Sequence, residues 1–198
     1  MTTLVLVRHG VTDWNEQGRL LGWAEIPLNE RGRAQAAAAG TALRELPIAA
    51  LLASPQRRAQ ETAAIIAAAL GLPVETDPDL AEVWVGHWQG QTAAQLADHP
   101  DVLRYFADPL HRCDAIEPTE EVSARVIAAA ARARQRFGDR HVCLVSHGDP
   151  IRLLLAHCLG LPPAGFRRLH VQPGSISIAS ADPDHPGAGV IGWRPRLG

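Results

Sequence analysis

Three short apolar runs, Leu4 to Val7, Ala49 to Ala53 and Val142 to Val145, each end at once in polar, reactive residues. The runs are continuous rather than alternating, which suits strands covered on both faces, as in a parallel sheet flanked by helices. The segments between them read as helices. Asn29 caps one running to about Leu46, and Ser54-Pro55 supplies an N-cap with proline at the first helical position. That second helix carries Ala59, Ala63, Ile66, Ala67 and Leu70 on one stripe and stops at Gly71. A third, from about Pro118 to Phe137, repeats Val122, Val126, Ala129, Ala130 and Ala133 at helical spacing before Gly138. In a fourth, Ile151, Leu154, Leu155 and Cys158 form the buried face. Ser175 to Ser180 and Val190 to Trp193 read as an edge hairpin joined by the turn-rich stretch 182–187. The expected fold is α/β, a three-layer α/β/α arrangement with a mostly parallel central sheet and a C-terminal edge hairpin. Residues 1–198 are expected to form a single domain, with residues 83–116 an excursion from its core.

Composition excludes several classes. With 198 residues, 46% hydrophobic and 20% charged, the chain can bury a sizeable core. Its apolar runs fall far short of a bilayer span, and Met1-Thr2-Thr3 lacks the basic flank of a secretory signal, so a cytoplasmic protein is expected, with no membrane partner. A net charge of −2 provides no bulk field for nucleic acid. All 19 basic residues are arginine, which excludes a lysine Schiff base or P-loop lysine and leaves planar forks for oxyanions. Cys113, Cys143 and Cys158 contain no CxxC pair and read as packed thiols of a reducing compartment. A symmetric homodimer is the default for such a chain, but no sequence feature names its interface.

The reactive residues fall at strand ends. Arg8-His9-Gly10 follows the first run, Ser54-Pro-Gln-Arg-Arg58 the second, and Ser146-His147-Gly148 the third. Ligands of open α/β sheets bind beyond the carboxyl ends of the strands, so the three segments can face one crevice. It would hold two imidazoles and at least two guanidiniums beside helix N-termini, an environment suited to a phosphoryl group. A glycine after each histidine is expected to let the backbone turn sharply and substrate approach the ring closely. Taken alone, either histidine is more often structural, and Arg57 reads as a solvated neighbour. Arg8, continuing a buried strand, needs an anionic partner.

Four ordered blocks carry a resemblance. Leu6-Val-Arg-His-Gly-Val-Thr-Asp-Trp-Asn15, Ser54-Pro-Gln-Arg-Arg-Ala-Gln-Glu-Thr-Ala63, Leu80-Ala-Glu82 with Gly86-His-Trp-Gln-Gly90, and Val145-Ser-His-Gly148 resemble the signature of the histidine phosphatase superfamily, the phosphoglycerate mutase-like family. The resemblance covers nearly the whole chain and is nearest to a short bacterial phosphatase branch. It implies the phosphoglycerate mutase-like fold and two-step phosphoryl transfer through a phosphohistidine. His9 is then the nucleophile, Arg8, Arg58 and His147 hold the equatorial oxygens, and Glu82 serves as acid and then base. Asn15, Leu21, Gly22 and Gly148 are the implied substrate contacts.

The implied substrate is a small phosphorylated metabolite such as a sugar phosphate or α-ribazole phosphate. No cofactor or metal is required; a two-histidine metal site at His9 and His147 is the minor alternative. Val83-Trp84-Val85 stands where the mutases carry a basic, polar run, and Leu21 where they have a hydroxyl residue, so hydrolysis is expected over transfer between hydroxyls. A phosphomutase and a non-catalytic phosphate-ester binding protein are the alternatives. The register 115–118, Ala-Ile-Glu-Pro, departs from the Gly-Gly-Glu-Ser of many members. Trp14, Trp23, Trp84 and Trp88 are candidates for lining a leaving-group pocket or for packing alone.

Overall fold

In the computed structural model the described residues are 2–113, 116–180, 182 and 184–197. Ala115, in the register noted above, and Pro183, in the hairpin turn, lie outside them. Strands β1 (Thr3–Arg8), β2 (Ile48–Ala53), β3 (Val74–Thr76), β4 (His141–Ser146), β5 (Ile176–Ser180) and β6 (Gly187–Trp193) form one sheet in the order β3-β2-β4-β1-β5-β6. Strands β1, β2, β3 and β4 run parallel, while β5 pairs antiparallel with β1 and β6 with β5, giving the expected edge hairpin.

The continuous apolar runs have the expected cause. On β1, Leu4 and Leu6 face one way and join a core with Val122 and Val126 of α5 (Thr119–Phe137) and Leu154 and Leu155 of α6 (Gly148–Cys158). Val5 and Val7 face the other way and meet Ala39 and Leu43 of α2 (Glu30–Leu43) and Ala59, Ala63 and Ile66 of α3 (Arg57–Leu70). Both faces of the strand are therefore buried, which removes the alternation of a half-exposed strand.

Asn29 caps α2 as expected, its side chain accepting from the Gly32 N–H at 2.9 Å, and the helix ends at Leu43, three residues short of the expected boundary. The expected Ser54 cap is corrected: α3 begins at Arg57 with Gln56 as its cap residue, because the Ser54 hydroxyl turns toward His147. Helix α1 (Asp13–Glu16) and strand β3 were not legible, being too short to show a period. The described residues of 83–116 contain a 3-10 turn at Gly86–Trp88 and α4 (Pro100–Ala107) and add no strand to the sheet. The segment is nonetheless part of the core, because Val83, Val85, Trp88, Val102, Tyr105 and Ile116 bury against the same cluster as Leu4 and Leu6. Among the described residues no helix is long and apolar enough to cross a membrane.

The chain passes from β1 to β2 before β4 inserts between them. That reversal sets the carboxyl ends of β1, β4 and β2 side by side and opens a crevice there. The backbone continues the pairing past the strands, with His9 N–H donating to Ser146 O at 3.0 Å and Ser54 N–H to Val145 O at 2.9 Å.

Candidate active site

His9 leaves the end of β1 fully buried. Its Nδ1 lies 2.7 Å from Gly10 O, and since a carbonyl can only accept, the ring proton sits on Nδ1 and Nε2 keeps its lone pair. Arg58 Nε, in the first turn of α3, donates to that Nε2 at 3.3 Å. The rest of the guanidinium is anchored, Nη1 to Ala24 O at 2.9 Å and Nη2 to Gly22 O at 2.8 Å. Burial, with Glu82 opposing it, brings Arg58 down to about 10, still cationic at neutral pH. Burial first, then Arg58 and Arg8, holds His9 well below the usual imidazole range.

The glycine after His9 has a reason beyond the one expected. A Cβ on Gly10 would stand 2.3 Å from Gly32 O, so Gly10 lets the loop lie against the backbone of α2. Gly148 follows His147 in a similar way, under the Arg8 guanidinium, where a Cβ would lie 3.3 Å from Cζ.

His147 ends the turn after β4, buried, with its ring centroid 5.1 Å from that of His9. Its Nε2 is 2.7 Å from Ser54 Oγ, and Ser54 Oγ is 2.5 Å from Gln56 Oε1, which also accepts the Glu82 N–H at 3.2 Å. Nδ1 of His147 is buried without a hydrogen-bond partner and lies 4.0 Å from Glu82 Oε2. Burial, then Arg58, His9, Arg8 and Arg125, holds this ring well below the ordinary imidazole value.

Glu82, which alone reads as a solvated member of an acidic stretch, is turned inward. Burial and then Asp149 raise its carboxyl above the ordinary value, against the opposing Arg58, Val83 N–H and Arg8. Its Oε1 accepts the Val83 N–H at 3.0 Å, which leaves Oε2 toward His147. The Glu82 carbonyl accepts from Trp23 Nε1 at 2.7 Å and Arg125 Nη2 at 3.0 Å. Arg125 also reaches Ala81 O at 2.6 Å and pairs with Glu117 at 2.8 Å, so one α5 side chain holds the whole turn. Sequence reasoning missed Arg125, and its only signal was Glu117 in the departing register.

A cavity of about 490 Å³ is lined by Arg8, Glu82 and Gly148, whereas His9, Arg58 and His147 are buried and do not line it. Asn15, Leu21 and Gly22 line its wall, so all the substrate-side candidates border it, together with apolar Val83, Val85, Trp88 and Ile116. Of the four tryptophans only Trp88 lines the cavity; Trp23 and Trp84 are largely exposed, and Trp14 packs on Gly90. Arg57 is exposed and paired with Glu61, as expected. Arg8 takes a carbonyl in place of a direct anionic partner: Nη1 donates to Val171 O at 2.7 Å and Nε is buried without a partner. Among the described residues no three His, Cys, Asp or Glu side chains cluster as metal ligands.

The family described as "Histidine phosphatase superfamily (branch 1)" matches residues 4–193. The bifunctional protein Rv2228c of Mycobacterium tuberculosis is 38% identical over 90% of this chain and 50% of its own length. The chain thus spans about half the length of that relative. A probable phosphoglycerate mutase of an Enterobacter species is 35% identical over 89% of this chain and 84% of its own. Among solved structures, YhfR of Bacillus stearothermophilus superposes with a TM-score of 0.90 at 30% identity, covering 97% of both chains. A mycobacterial glucosyl-3-phosphoglycerate phosphatase in complex with VO3 gives 0.83 at 35% identity, over 90% of this chain and 92% of that one. With two histidines, two arginines and an inward carboxyl converging at the strand ends, and with the family match running from β1 to β6, the chain belongs to the histidine phosphatase superfamily, branch 1.

Proposed function

We propose that the protein is a metal-independent phosphomonoesterase that hydrolyses a small phosphorylated metabolite, such as a sugar phosphate or α-ribazole phosphate, through a phosphohistidine on His9. The observation that carries this reading is the His9 ring itself: Nδ1–H pinned to Gly10 O and the Nε2 lone pair held by Arg58 Nε. A neutral imidazole with one fixed lone pair is a ready nucleophile.

In the first step Nε2 attacks phosphorus, the P–N bond forms, and the P–O bond to the leaving group breaks. Arg8, Arg58 and His147 neutralise the equatorial oxygens, while the protonated Glu82 carboxyl gives its proton to the departing oxygen. In the second step the Glu82 carboxylate takes a proton from water, the water oxygen bonds to phosphorus, and the P–N bond breaks. A raised carboxyl supports both roles, since it is protonated often enough to act as acid and basic enough afterwards to act as base. Arg58 holds the Nε2 lone pair at rest, and an incoming phosphoryl group would draw the guanidinium onto its oxygens and release the nucleophile.

Transfer to a second hydroxyl is the competing reading, since one relative bears a mutase name. Hydrolysis is favoured by the apolar Val83, Val85 and Leu21 along the cavity, while Arg19, Arg152, Arg167 and His170, which also line it, are the groups a substrate carboxylate would use in the competing reading. The test is p-nitrophenol release by wild type and His9→Ala with a chelator present. Turnover that resists the chelator and disappears in the variant supports the proposal. Phosphoglycerate isomerisation outpacing phosphate release would favour the mutase, and substrate binding with no acid-labile phosphate on wild-type His9 a non-catalytic binder.

A further inference from the structure

The hydrogen bonds behind His147 determine more than its position. Gln56 Oε1 accepts the Glu82 backbone N–H at 3.2 Å, so that atom is the amide oxygen and not the nitrogen. Ser54 Oγ, 2.5 Å from it, must then spend its only proton there. Having donated, the hydroxyl can only accept, and it lies 2.7 Å from His147 Nε2. His147 therefore carries its proton on Nε2. Its other nitrogen, Nδ1, is buried, without a partner, and 4.0 Å from Glu82 Oε2.

A neutral ring held this way offers a lone pair where a phosphoryl oxygen would sit, and two lone pairs repel. We propose that Ser54 is a positioning residue that locks His147 in the Nε2–H form, so that the site accepts a tetrahedral oxyanion only together with a proton on His147 Nδ1. The inference rests on the reading above, in which His147 holds a phosphoryl oxygen. Moving the proton to Nδ1 would set a bare Nε2 against the Ser54 lone pairs, and flipping the ring would leave Nε2–H unpaired.

The groups facing the ring fit this switch. Burial first, then Arg58 on α3, His9 and Arg8 at the end of β1 and Arg125 on α5, hold it neutral, with Glu82, itself raised by burial and by Asp149 of α6, as the acidic neighbour. An entering dianion offsets the Arg8, Arg58 and Arg125 guanidiniums and makes the imidazolium the favoured form. The added proton gives His147 two N–H donors, one to Ser54 and one to the anion.

Sulfate, which stays a dianion across the working pH range, is the probe. Imidazole 15N spectra of the wild-type protein, with His147 assigned by its loss in His147→Gln, report which nitrogen is protonated. The expected result is a neutral Nε2–H ring in the free protein and a doubly protonated ring with sulfate, the affinity for sulfate falling up to about tenfold per pH unit on the alkaline side. In Ser54→Ala the ring is free to take the Nδ1–H form, so it should stay neutral with sulfate bound and the pH dependence should flatten. Ser54→Thr, which keeps the hydroxyl, should restore both. A wild-type ring protonated on Nδ1 when free, or still neutral with sulfate bound, overturns the proposal and leaves the phosphatase reading standing. Sulfate that perturbs neither His9 nor His147 would overturn the reading of the site as an oxyanion cradle, and this proposal with it.

Discussion

The His9 and His147 rings stand 5.1 Å apart, tilted by 56°, and their outer hydrogen bonds give them opposite protonation patterns. His9 gives its Nδ1 proton to Gly10 O, and His147 its Nε2 proton to Ser54 Oγ. Two identical side chains thereby acquire different chemistry, one exposing a nucleophilic lone pair beside Arg58 and the other a nitrogen that gains a proton as the anion enters. The division is made by acceptors outside the reacting centre, as is usual where ring orientation must be held.

Glu82→Gln should separate substrates by leaving group. An alkyl phosphate needs its departing oxygen protonated, so its turnover should fall by about 10²–10⁴-fold. p-Nitrophenyl phosphate, which leaves as a stable phenolate, should lose at least about tenfold less in the step that forms phosphohistidine. Rapid-quench measurement of phosphoenzyme formation on both substrates decides this, and equal losses would remove Glu82 from the role of acid.

Arg125→Ala should damage stability and turnover together. It removes the donor to Ala81 O and one of the two donors to Glu82 O, and leaves Glu117, only 16% exposed, without its ion-pair partner. Stranding a largely buried charge costs about 3 kcal/mol, which for a chain of this size is a melting shift of about 6–12 °C. Arg125→Lys keeps the charge but not the fork and should fall between the two. Thermal melts with parallel kinetics check both effects, and unchanged kcat in a folded Arg125→Ala protein would show that the clamp does not set the Glu82 geometry.

Gly10→Ala should destabilise the fold by about 1–3 kcal/mol, since the new methyl would meet Gly32 O at 2.3 Å and backbone cannot yield as a side chain can. Denaturant titration measures it. Gly71→Ala is the contrast: nothing lies within 4 Å of that position, and its cost comes only from a φ of 68°.

Stability should fall as the solution is acidified below about pH 6.5, the ordinary imidazole value. Folded His9 and His147 are held below that value, so in this window the unfolded chain binds more protons and each ring contributes up to about 1.4 kcal/mol per pH unit. Glu82 acts in the opposite direction. Its folded value is raised, so its contribution is present at low pH and lost as pH rises through the folded value, which partly offsets the histidines. Denaturant midpoints from pH 5 to 7.5 test the balance, and His147→Gln should make the profile shallower.

What was hidden from the sequence was hidden for identifiable reasons. Ser54 reads as an N-cap beside Pro55 because short-range rules favour that use, and only the neighbouring β4 end shows where its hydroxyl goes. Gly10 reads as room for substrate until α2 is packed against it. Arg125, 43 residues from Glu82 along the chain, has no local pattern linking it to the carbonyl it holds. The apolar residues of 83–116 have no regular spacing, so their membership of the core depended on which surface they met.

Local chemistry determined the rest. Continuous apolar runs dictate strands buried on both faces, helical stripes dictate the covering layers, and the order of runs and reactive residues sets Arg8, His9, Ser54, Arg58 and His147 at neighbouring strand ends. These follow from burial and periodicity, which act residue by residue along a chain. Tertiary structure alone decided which nitrogen of each histidine carries the proton, that the Glu82 carboxyl turns inward and is raised, and which side chains hold it there. Each of those depends on donors and acceptors brought together from distant segments, and on a low-dielectric surrounding that exists only once both sides of the sheet are covered.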